Sequence, residues 1–81
     1  MKLWLLRPIH GHDEWGPWKP WYDKTFGFVV RAETEDEARL LASKQAGDEG
    51  HHAWMEPFES TCVELTADGP AGVVIQDHCS A

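Results

Sequence analysis

No run of apolar residues in this chain approaches the roughly 18–20 that a membrane span requires, so none of it is expected to cross a bilayer. The segment Met1-Lys2-Leu3-Trp4-Leu5-Leu6-Arg7-Pro8 holds four consecutive apolar residues, too few for a signal-peptide core, and the expected address is the cytoplasm. Glycine and proline together make 12 of 81 residues and follow no period, which excludes collagen-like and low-complexity chains. The glycines are scattered at turns rather than gathered into a phosphate-cradling loop, and there are no internal repeats. Cysteine is scarce. Cys62 and Cys79 stand in a chain without an export signal and are expected to be reduced; nothing supports a bridge between them. Positive charge is scarce too. Seven Lys and Arg against fourteen Asp and Glu give a net charge of −7, which repels phosphate backbones and anionic lipid, so neither nucleic acid nor a membrane surface is an expected direct partner.

What is present fits one small domain, 1–81: the chain is 42% apolar and too short for a second core. Lys2 to Arg7 reads as a strand with apolar residues on both faces, hence an interior one. Phe26 to Ala32 reads as a second strand, with Phe26, Phe28 and Val30 on one face and Arg31 on the other. Thr34 followed by Glu37 is a capping box, and Glu35, Asp36 and Glu37 put negative charge at the positive end of a helix dipole. The helix is expected over about 35–46, burying Ala38, Leu41 and Ala42, with Gly47 as a left-handed stop. Residues 48–59 have no clean period; Pro57 forbids a regular central strand, and Trp54 and Phe58 are expected to anchor the segment on the core. Thr61 to Thr66 alternates as a strand with Val63 and Leu65 inward, Ala67 to Ala71 is turn chemistry, and Gly72 to Asp77 reads as a last strand. The order β-β-α-β-β implies an α+β fold, an antiparallel or mixed sheet with one helix on a face.

Charge is unevenly spread. Residues 1–32 carry net +2, whereas 33–68 carry ten acidic and two basic groups, net −8. Two readings stand: an acidic surface that maintains solubility, or one that meets a basic partner.

Chemistry-bearing constellations are thin. His10-Gly11-His12-Asp13 offers two imidazoles and a carboxylate, but the further ligands a zinc site needs (His51, His52, His78, Cys79) lie in other loops without metal-binding spacing. Cys62 and His78 are the one conceivable thiol–imidazole pair, with no orienting group or oxyanion site evident. No catalytic residue, metal or cofactor is therefore expected, and the chain reads as a non-enzymatic binding protein. The segment Trp15-Gly16-Pro17-Trp18-Lys19-Pro20-Trp21-Tyr22 concentrates three Trp and one Tyr within a connection that is long for so small a domain. Its rings can form a lid that adds core volume, or Trp18 and Trp21 can stay exposed as interface anchors. A small accessory domain that binds an unrelated protein through this loop is the alternative function.

The N-terminal strand, the stretch Trp21-Tyr22-Asp23-Lys24-Thr25-Phe26-Gly27-Phe28-Val29-Val30-Arg31-Ala32 and the helix start Glu35-Asp36-Glu37-Ala38-Arg39-Leu40-Leu41-Ala42 resemble small acidic proteins of bacterial and phage genomes. Within that group the chain looks like an anti-CRISPR protein directed at a type I interference complex. The resemblance covers nearly the whole chain and implies stoichiometric inhibition without catalysis, in the host bacterial cytoplasm. Surveillance complexes hold nucleic acid in Lys- and Arg-lined grooves, which an acidic protein can occupy so as to exclude DNA by charge and volume. The candidate contacts are Glu33, Glu35, Asp36 and Glu37 at the helix start and Asp48 and Glu49 past its end, with Trp18 and Trp21 as desolvated anchors.

Overall fold

The structure, a computed structural model, describes residues 1–9, 17–18 and 23–77. Among these it contains β1 (Lys2–Pro8), β2 (Phe28–Ala32), α1 (Glu35–Ser43), α2 (His51–Met55) and β3 (Ser60–Leu65). The three strands form one antiparallel sheet in the order β2-β1-β3, so the α+β class holds and the sheet is antiparallel rather than mixed.

β1 is central because it alone is apolar on both faces. Leu5 stands opposite Val29 on one side and Val63 on the other, and Leu6 stands opposite Phe28 and Cys62. Directly paired residues project from the same face. Trp4, Leu6, Phe28, Val30, Ala32 and Cys62 therefore share the face that the helices cover, where Leu6 and Ala32 are fully buried. Leu3, Leu5, Arg7, Val29, Arg31, Val63 and Leu65 share the other, which no helix among the described residues covers.

Helix α1 begins where expected. Thr34 is extended and its hydroxyl accepts from the Glu37 amide at 3.2 Å. The return bond runs from the amide of Glu33, not of Thr34, to the Glu37 carboxylate at 3.0 Å. Ala38 and Ala42 face the sheet, and their small side chains let the helix sit close enough for Trp54 to fill the remaining space. Trp54 packs edge-on against Phe28 and Trp18, with both centroid separations 4.8 Å. Each buried indole has an acceptor: Trp18 Nε1 donates to the Glu59 carbonyl at 2.9 Å and Trp54 Nε1 to the Glu49 carboxylate at 2.6 Å.

Several expectations are corrected. Helix α1 ends at Ser43, and Gly47 is not left-handed; positive φ occurs at Gly50 and Gly69. Gly47 is required by close approach instead, since a Cβ there would run into the Asp23 carbonyl oxygen. Leu41 is largely exposed, and the buried face of α1 is completed by Arg39 and Ser43. The segment 48–59 contains a second helix, α2, so the sheet carries two helices. Its five residues are too few to show a period, and tertiary contacts of Ala53 and Trp54 hold them. Phe58, at 66% exposure, does not anchor on the core although Trp54 does. Val63 points away from the helices at 57% exposure, because pairing with Leu5 assigns it to the open face and gives the core position to Cys62. Residues 72–77 form no strand: they have no ladder partner, and Val73 is 80% exposed.

Candidate partner-binding surface

The expected contact residues fall into two groups at opposite ends of α1, separated by about 13 Å of helix at 1.5 Å per residue. At the start, Glu33, Glu35, Asp36 and Glu37 are all exposed. The register of the sheet adds a residue the sequence did not point to: Glu64, opposite Trp4 near the same end of the sheet, with its carboxylate 3.8 Å from Lys2 Nζ. The N-terminal ammonium lies 3.8 Å from the Glu33 carboxylate. Both contacts are long and solvent-exposed, so they leave most of the negative charge available to a partner.

Two of these carboxylates have structural duties. Glu37 holds the amide of Glu33, and Glu35 accepts from Arg39 Nε at 3.0 Å. Arg39 is 5% exposed and spends its other donors on the Trp54 carbonyl at 2.9 Å, the Ser60 hydroxyl at 3.0 Å and the Ser60 carbonyl at 3.0 Å. It ties α1, α2 and β3 together through one rigid fork. The Asp36 side chain makes no hydrogen bond or ion pair among the described residues, which leaves it and Glu33 as the acid side chains least committed to the fold.

The second group does not present a surface. Glu49 is 7% exposed, accepting from Trp54 Nε1 through one oxygen and from the Thr25 amide through the other at 3.0 Å. Asp48 is exposed, but its Oδ2 accepts from the Asp23 amide at 3.1 Å while its own amide returns to the Asp23 carbonyl at 2.6 Å. Together they clamp the chain entering β2 onto the turn after α1. Trp18 is fully buried and is a core residue rather than an exposed anchor. Trp21 lies outside the described residues, as do His10, His12, Asp13, His78 and Cys79.

Among the described residues no three His, Cys, Asp or Glu side chains converge as metal ligands would. His51 and His52 are exposed at the start of α2, with their rings 4.1 Å apart. Burial raises the Cys62 thiol above its ordinary pKa; neighbouring Arg39 opposes the rise and Glu35 adds to it. The neutral thiol is thus favoured, the opposite of what a nucleophilic cysteine needs. No helix among the described residues is long and apolar enough to cross a membrane.

No protein-family model, curated protein or solved structure matches this chain.

Proposed function

We propose that this protein is a non-enzymatic inhibitor that sets its acidic end, Glu33, Glu35, Asp36 and Glu37 with Glu64, into a Lys- and Arg-lined groove of a nucleic-acid-binding partner. Following the sequence resemblance, that partner is a type I CRISPR-Cas surveillance complex, and the consequence of binding is loss of target-DNA access. One observation carries the reading: the carboxylates concentrated in the sequence stand together on a capped helix start at one end of the sheet. A fixed array of carboxylates loses little side-chain entropy on meeting a cationic groove, and its field steers the approach. Glu35, paired to Arg39, acts mainly as a support; Asp36, and Glu33 with only its long, exposed contact to the N-terminal ammonium, supply the charge.

The test is a pull-down of the tagged protein with purified type I surveillance complex at low and high salt, with target-DNA binding read by gel shift. The expected result is co-purification that weakens with salt and abolishes the shift. Co-purification with DNA binding intact would move the action downstream, to nuclease recruitment. No association at either salt concentration would refute the proposal for the systems tested.

A further inference from the structure

The chain leaves β3 at one end of the sheet and comes back to the other. Leu65 stands opposite Leu3, yet Ile75 lines a groove of about 490 Å³ whose walls include Leu5, Arg7, Lys24 and Val29. Of these, Leu5, Arg7 and Val29 belong to the sheet face that no helix among the described residues covers. From Leu3 to Arg7 is about 13 Å of strand at roughly 3.3 Å per residue, whereas the residues from 65 to 75 reach about 33 Å when extended. The segment 66–77 therefore crosses the open face with slack to spare. Gly69, at φ 142°, lies in the turn that reverses it.

Only the far end of this segment is seated. Ile75 and Asp77 line the groove and Gln76 between them does not, which is the alternation of an extended stretch with one side against the protein. Val73 and Val74, just before, are 80% and 73% exposed, against 42% for Ile75. Charge follows the same division. Asp77 is the one carboxylate among the described residues of the groove, and Arg7 and Lys24 are its cations. None of the three forms an ion pair among the described residues. Both cations are held in place: a Cβ at Gly27 would stand 3.0 Å from Arg7 Nη1, so glycine leaves the guanidinium its room, and the Lys24 ammonium donates to the Pro17 carbonyl at 2.9 Å. Asp77 thus shares a groove with two placed cations without a closed salt bridge, an attraction that salt screens.

We propose that residues 72–77 are a releasable strap over the open face, with Ile75 as its apolar foot against Leu5 and Val29 and Asp77 as a charge lock toward Arg7 and Lys24. Latched, the strap covers the Leu5–Val29 row. Released, it swings on the turn at 66–71 and uncovers that row, while the sheet and both helices keep their places because no ladder holds the strap to a strand. The lock is weak by construction: an exposed charge pair shifts such an equilibrium by about fivefold at most, so ionic strength alone moves it. The strap involves no residue of the acidic end of α1 and does not depend on the function proposed above.

The test is NMR on the full chain. Methyl NOEs from Ile75 to Leu5 and Val29 report the foot, amide heteronuclear NOEs at Ile75–Asp77 report mobility, and the Trp18 and Trp54 indole signals report an intact core. At low salt the wild type is expected to show the methyl NOEs and strap amides as rigid as those of β3. High salt or Asp77→Lys is expected to raise the released fraction about fivefold, with motion confined to the strap and the indole signals unmoved. Ile75→Ala, which removes the foot and keeps the charge, is expected to release the strap as well. The charge swap Arg7→Glu with Asp77→Lys is expected to recover most of the latched state. Absence of the Ile75 NOEs in the wild type, a strap indifferent to salt and to Asp77→Lys, or a swap as mobile as Asp77→Lys alone would each overturn the proposal.

Discussion

Trp54 Nε1 donates to the Glu49 carboxylate at 2.6 Å, and the pair binds the second helix to the turn that leads into it. Glu49 simultaneously receives the amide of Thr25, twenty-four residues earlier, so one carboxylate joins α2 to the chain entering β2. Glu49→Ala leaves a buried indole N–H and a backbone N–H without acceptors and is expected to destabilise the fold by about 2–4 kcal/mol. Glu49→Gln keeps one acceptor oxygen and is expected to lose about half as much, as urea denaturation would show.

Arg39 is expected to resist conservative replacement. Its guanidinium serves Glu35, the Trp54 carbonyl and both oxygens of Ser60. A lysine cannot form this fork, so Arg39→Lys is expected to cost about 2–3 kcal/mol and Arg39→Ala about 3–5 kcal/mol. Near-wild-type unfolding midpoints for Arg39→Lys would show that the fork is dispensable.

Trp18 is expected to behave as core. Trp18→Ala should cost about 3–5 kcal/mol, while Trp18→Phe keeps the ring contact with Trp54 and loses only the 2.9 Å bond to Glu59. If a stably folded Trp18→Ala protein lost partner binding, the indole would be an interface anchor after all.

Cys62 provides a pH test. Its folded pKa is raised by burial, so the unfolded thiol ionises first. The contribution to stability is complete below the ordinary thiol pKa of about 8.5 and is lost as pH rises through the raised folded value. In a Cys79→Ser background, stability should fall slightly above that pH and thiol labelling at neutral pH should be slow. Adding Cys62→Ser should remove the alkaline decline.

Much of the fold was legible from local signals. The Thr34–Glu37 box fixed the start of α1, and two-sided apolarity placed β1 inside the sheet. Non-local information was not legible. Gly47 serves a close approach to Asp23, twenty-four residues earlier, which no local pattern encodes. The Val63 side chain faces outward because register with Leu5 decides it, and alternation alone cannot distinguish one face from the other. Gly72 to Asp77 has the β-branched composition of a strand but no ladder partner. For the binding surface, the charge run at 33–37 identified a cluster that folding keeps exposed. It could not reveal that Glu49 would be enclosed by Trp54, or that Glu64 would join from β3.

The most direct measurement of the central claim is competition between target DNA and this protein for a type I surveillance complex, using the double variant Glu33→Lys, Asp36→Lys. These positions spare both the cap and the Glu35–Arg39 pair, so the melting temperature should hold within a few degrees. The expected result is loss of inhibition by at least about tenfold, with the wild-type effect itself fading as salt rises. Full inhibition by a folded double variant would contradict the account and remove the acidic end of α1 from the binding surface.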